Sequence, residues 1–200
     1  MFSELKFLFK LASASDIARR YFVTNGFDGA LTMLGLVIGF YSSSQAPNGV
    51  ILAACLGAAI ALTVSGLVSA YISESAERKK ELSELEQALV KNMDDSAHAK
   101  AAKLVPIFVA AVNGLSPLII SLIIISPMGL SLSGYELPIP PLQFSIIIAF
   151  ITLFALGIFI GKISGQFWLW SGFRTLLIAV ITAAIILLID NIITFPAINH

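Results

Sequence analysis

Residues Val50 to Ile72 read VILAACLGAAIALTVSGLVSAYI, an apolar run without one charged side chain. At about 1.5 Å of rise per residue, a helix of this length crosses the ~30 Å hydrocarbon core of a bilayer. An open strand could not, because lipid offers no partner for its backbone N–H and C=O groups. Outward from this run, apolar segments recur at Tyr21 to Tyr41, Leu104 to Ser126, Leu142 to Ile163 and Thr175 to Phe195. The first is weakened at its start by Asn25 and Asp28, and the third begins against Pro106 and carries Asn113 and Pro117. Of the 200 residues, 58% are hydrophobic and 12% charged, and the mean hydropathy is +0.93, values foreign to a soluble surface. The expected fold is all-α: a multi-pass membrane protein with five transmembrane helices.

Twelve Lys and Arg balance twelve Asp and Glu, for a net charge of zero, which predicts no nucleic-acid partner. The placement of the bases says more than the sum. Lys6, Lys10, Arg19 and Arg20 precede the first span; Arg78, Lys79, Lys80, Lys91, Lys100 and Lys103 lie between the second and third; Lys162 and Arg174 bracket the link from fourth to fifth. The alternate connections, Ser42 to Gly49 and Pro127 to Pro141, and the tail after Phe195 hold none. The positive-inside rule then predicts an N-in, C-out chain, in the cell membrane or in an organellar membrane with the N-terminus cytosolic.

The chain divides into four segments. Residues 1–20 predict an amphipathic helix in the cytoplasmic interface, with Phe2, Leu5, Phe9 and Ala12 towards lipid and the lysines snorkelling; Glu4, Lys6 and Lys10 interrupt the apolar core that a signal peptide needs. Residues 21–72 hold the first two spans, 73–103 a charged cytoplasmic helical hairpin, and 104–200 the last three spans. Pro127, Pro138, Pro140 and Pro141 are expected to stop the third span and start the fourth. The lone cysteine, Cys55, reads as a small packing residue.

Asp28 is the residue this layout leaves unexplained. An ionised carboxylate at mid-membrane costs about 2.5–3.5 kcal/mol, so one kept inside a span faces the bundle or a wet cavity. The two readings are a proton or cation ligand at the inner mouth of a pathway, with hydroxyls such as Thr32 and Ser65, and a cap that starts the span at headgroup level beside Asn25 and Gly26. Asp190 and Asn191, near the end of the fifth span, read as a solvated terminus. Gly35 and Gly39, then Gly157 and Gly161, sit four apart in their spans and predict close helix packing.

From Ser73 to Lys103 there are seven acids and six bases with no Gly or Pro, a helical composition continuing the second span. Glu74, Glu77, Glu81 and Glu84 share one helical face, with Lys80 and Glu84 spaced to pair. Asn92 to Ser96 has turn and N-cap character, so a second short helix is expected from near Asp94. It would bring Asp94 or Asp95 near His98, with Met93 close by, a donor set suited to Fe(II) or Mn(II). A solvated, salt-bridged surface is the competing reading of the same charges.

Several motifs, in order, resemble the vacuolar iron transporter family: Asp28-Gly29 with Gly39 in the first span; Ser69-Ala70-Tyr71-Ile72-Ser73 running into Glu77; Gly114-Leu115-Ser116-Pro117-Leu118 in the third; and Leu156-Gly157, Gly161-Lys162 and Ser171-Gly172-Phe173-Arg174 towards the end. The resemblance covers nearly the whole chain from Arg19. It implies a homodimer of five-helix subunits that moves Fe(II) or Mn(II) out of the cytosol in exchange for protons, along a path lined by the first two spans. Asp28 would correspond to the pathway aspartate, and the Glu74/Glu77 and Glu81/Glu84 steps to the metal-gathering extension. Three departures stand out: Ala58 lies where the family carries a glutamate, Gly66 where it carries a methionine ligand, and the extension is short. Two functions follow as expectations: a proton-coupled exporter of a divalent cation, with no permanently bound cofactor, or a non-transporting subunit whose glycines pack against partner membrane proteins. No nucleophile with a base and no phosphate-cradling glycine loop suggests an enzyme.

Overall fold

The computed structural model describes residues 14–43, 46–90, 93 and 96–194, with side chains described to residue 192. These residues form five helices: α1 (Ala14–Ser43), α2 (Asn48–Leu89), α3 (Ala97–Leu132), α4 (Pro141–Ile163) and α5 (Trp168–Thr194). All five contain a stretch long and apolar enough to cross a membrane, and the described residues hold no strand. Only 28% of the most apolar part of α2 and 17% of that of α5 is buried within the chain. Ile60, Val64 and Val68 on α2, and Ile181, Ile185 and Leu188 on α5, are exposed. Water would not tolerate such faces; a bilayer fits them.

Helix boundaries depart from the sequence expectations in three places. First, Ala14–Arg20 belongs to α1 itself and leads straight into its apolar part; residues 1–13 of the expected interfacial helix lie outside the described residues. Second, the helix expected near Asp94 begins at Ala97 and continues as α3 through Pro106. The Ser96 hydroxyl accepts the Ala99 N–H at 3.1 Å, an N-cap that satisfies one of the end donors.

Third, Pro127, expected to stop the third span, lies inside α3, which continues to Leu132. A proline leaves the carbonyl four residues earlier without its donor. Here the Ser126 hydroxyl donates to that carbonyl, Ile123 O, at 2.8 Å, and the helix persists. It ends at Gly134, whose φ of +89° lets the Tyr135 N–H return to Leu130 O at 3.2 Å. The same device, with Gly165 at φ +68° and Gln166 N–H on Gly161 O at 3.1 Å, closes α4. Pro140 and Pro141 start α4 where a missing N–H costs nothing.

The helices contribute to two compact units, one comprising the chain up to Asn25 with Leu62–Ser116, the other Gly26–Ala61 with Pro117 onward. The first has a core of Ala14, Ala101, Val105 and Val109, against which Ile17 and Tyr21 pack. In the second, α4 and α5 form a close hairpin. A Cβ on Gly157 would lie 2.9 Å from Gly172 Cα, and one on Gly161 2.8 Å from Ser171 Cβ. Thr175 donates across the same contact to Leu153 O at 3.1 Å.

Candidate functional site

Asp28 stands near the middle of the 30-residue α1. Its side chain is exposed and meets no hydrogen-bonding or ion-pairing group among the described residues. The helix starts at Ala14, well before it, so Asp28 does not cap the helix. Arg20, the nearest base before it, is about 12 Å away along the axis at 1.5 Å per residue.

Gly29 determines how Asp28 is presented. A Cβ there would sit 2.8 Å from Pro117 Cα and 2.9 Å from Pro117 O, so the α1 and α3 backbones touch at this point. Successive helical residues are about 100° apart, and burying Gly29 against α3 turns Asp28 out of that contact. Thr32, one turn on, shares the Asp28 side and is half-buried. Ser65 is exposed on α2 within the first unit.

The first unit holds a buried amide node that reading the spans one at a time does not reveal. Asn113 of α3 is 3% exposed; its Nδ2 donates to Gly66 O of α2 at 2.7 Å, and its Oδ1 accepts from Asn25 Nδ2 of α1. The Ser116 hydroxyl donates to Phe22 O at 2.5 Å. Three helices are thus tied by polar bonds at membrane depth, where each unpaired group would cost several kcal/mol. The available signal was chemical: two asparagines at similar depth and two glycines, Gly66 and Gly114, opposite them. A Cβ at Gly66 would meet Gly114 Cα at 3.2 Å and Asn113 Nδ2 at 3.3 Å. The position that the resemblance assigns to a methionine ligand is therefore taken up by helix contact in this chain, and Ala58 is half-buried on the same helix.

Much of the acidic face of α2 is engaged by bases. Glu74 is buried at 7% exposure, lies near the Tyr21 side chain and is 3.8 Å from Arg78. Arg78 also pairs with Glu81 at 2.7 Å, and Lys80 with Glu84 at 3.9 Å; Glu77 is exposed. His98 does approach this face: with Arg78, Glu81, Leu82 and Leu85 it lines a recess of about 170 Å³. A guanidinium in that recess opposes cation binding. Among the described residues, no three His, Cys, Asp or Glu side chains gather in a way that could hold a metal ion; Asp94 and Asp95 lie outside them. Met93 takes part through its backbone, its N–H donating to Glu86 at 2.9 Å.

Asp190, expected to be a solvated end, is half-buried and accepts a hydrogen bond from the Ser42 hydroxyl, which joins α5 to α1 in the second unit. Gln143 and the Tyr41 hydroxyl lie 3.5 Å apart between α4 and α1. The four expected packing glycines differ in role. Gly157 and Gly161 lie at the α4–α5 contact, Gly35 makes ordinary contact with Ile186 at 3.5 Å, and Gly39 faces open space.

No protein-family profile matches the chain. It is 32% identical over 175 residues to the uncharacterized protein MJ0645 of Methanocaldococcus jannaschii, an alignment covering 86% of this chain and 88% of that protein. With the match spanning nearly the full length of both, the chain belongs to the same family as MJ0645.

Proposed function

We propose that the protein is a membrane transporter that exports a divalent cation, Fe(II) or Mn(II), from the cytosol in exchange for protons. The observation that carries this reading is Asp28: an exposed carboxylate, without a partner among the described residues, halfway along an apolar helix. Keeping it there costs about 2.5–3.5 kcal/mol against lipid, a cost that structure alone does not repay, because among the described residues Asp28 makes no bond that holds helices together. A carboxylate that alternates between proton and metal accounts for it. Thr32 supplies a neutral oxygen one turn away. The orientation is N-in and C-out, the subunit pairs as a homodimer through the uncovered apolar face of α2, and Glu77 with the α2–α3 connection raises the local cation concentration at the cytosolic side.

The test is uptake of Fe(II) or Mn(II) by proteoliposomes under a pH gradient. Uptake is expected from the wild type and is lost in Asp28→Asn; equal flux in that variant removes Asp28 from the mechanism. A second reading, a non-transporting membrane subunit, draws on Gly66, where a helix contact occupies the position of a ligand. A different chain co-purifying at fixed stoichiometry in mild detergent would favour it.

A further inference from the structure

Beside the α4–α5 hairpin, in the second unit, lies a half-open recess of about 470 Å³ that the transport reading does not use. Its walls are mostly apolar, formed by Phe27 and Leu31 of α1, Leu153 and Ile160 of α4, and Ile178 of α5, with Ser171 and Thr175 of α5 between them. Its polar groups gather towards the link between α4 and α5, where Ser164, Gln166 and Arg174 line it. Arg174 is exposed and has no carboxylate partner among the described residues. Lys162, in the last turn of α4, adds a second positive charge at the same end of the hairpin.

We infer that this recess binds an anionic phospholipid of the surrounding bilayer, with its phosphate on Arg174 and an acyl chain along Leu31, Leu153 and Ile178. Three observations select this occupant. Phe167, Trp168 and Trp170, exposed at 66%, 42% and 70%, crowd the link and place it at the headgroup level, where such side chains collect. Arg174, one turn beyond Trp170, must then turn its guanidinium back towards that level, and an unpaired guanidinium there calls for an anion that it can bind through two parallel N–H donors. The volume lies within the roughly 300–1,000 Å³ typical of small-ligand sites, and the Thr175 hydroxyl on its wall is taken up by Leu153 O and Gly172 O, which leaves the apolar side chains to face an acyl chain. The inference rests on the membrane reading alone and is independent of transport.

Native mass spectrometry of the detergent-purified protein, titrated with phosphatidylglycerol or phosphatidylcholine, tests it. The wild type is expected to retain one phosphatidylglycerol per chain about tenfold more tightly than phosphatidylcholine, the gain of one charge-assisted contact. Arg174→Gln should remove that preference while leaving weak binding of both lipids. Ile178→Trp, which fills the recess with Arg174 intact, should remove the retained lipid. Equal binding of the two lipids by the wild type, or a preference that survives both substitutions, would overturn the proposal and leave only a non-specific lipid annulus.

Discussion

Asp28 and Gly29 act as a pair. Gly29 permits the α1–α3 backbone contact at Pro117, and that contact fixes which way its neighbour points. Gly29→Ala forces the backbones apart and is expected to cost about 1–3 kcal/mol, read as a lower thermal midpoint in detergent, and to reduce transport together with stability. Asp28→Asn, which loses no hydrogen bond or ion pair among the described residues, should leave the midpoint unchanged or raise it. Asn113→Ala removes the bonds to Gly66 and Asn25. At about 0.6 kcal/mol each, with an upper value near 1.7, the loss should be about 1–3 kcal/mol. Arg78→Gln leaves the buried Glu74 without its cation, a cost of about 1–3 kcal/mol. The double variant with Glu74→Gln should lose less than the two single losses combined, and additive losses in that cycle would mean that the two side chains are not coupled. A single charge in an apolar run is readable from sequence, which is why Asp28 stood out. The Asn25–Asn113 bond joins residues far apart in the chain, and nothing local to either span indicates that their rotations bring the amides together.

Each helix follows its local composition closely, and departs from it where a side chain or a neighbouring helix repairs what the sequence breaks. Pro127 reads as a stop, yet Ser126 supplies the missing donor and α3 continues. Asp190 reads as a solvated end, yet Ser42 lies within reach. At the end of α2 the sequence offers no glycine, and Val90 takes the left-handed conformation at φ +50°, which is costly for a β-branched residue. Val90→Gly is expected to relieve about 1 kcal/mol of that strain and to raise the thermal midpoint; a fall would show that the Val90 side chain contributes more than its backbone costs. At the α4–α5 hairpin Gly157 and Gly161 signal close packing in advance. What they do not signal is the partner, which here is the next helix of the same chain.

At the scale of the whole molecule, the number of spans was readable because each apolar run is long and set off by charged segments on one side and by connections rich in Ser, Pro and Gly on the other, whereas the side of the membrane is encoded only in the distribution of Lys and Arg. With Cys55 replaced by serine, single cysteines report that distribution directly. Ser133→Cys, between α3 and α4, is expected to react with a membrane-impermeant maleimide in intact cells, and Ser83→Cys, on the charged part of α2, only after permeabilisation; the reverse pattern would invert the orientation and the direction of export. The central claim is that Asp28 exchanges a proton for a metal ion. The most direct measurement is luminal pH in proteoliposomes loaded with a pH-sensitive dye as Mn(II) is added outside. If each entering ion drives protons out, the lumen becomes alkaline with the wild type and stays constant with Asp28→Asn of the same stability. An equal rise in both, or Mn(II) entry with no proton movement, would contradict the account.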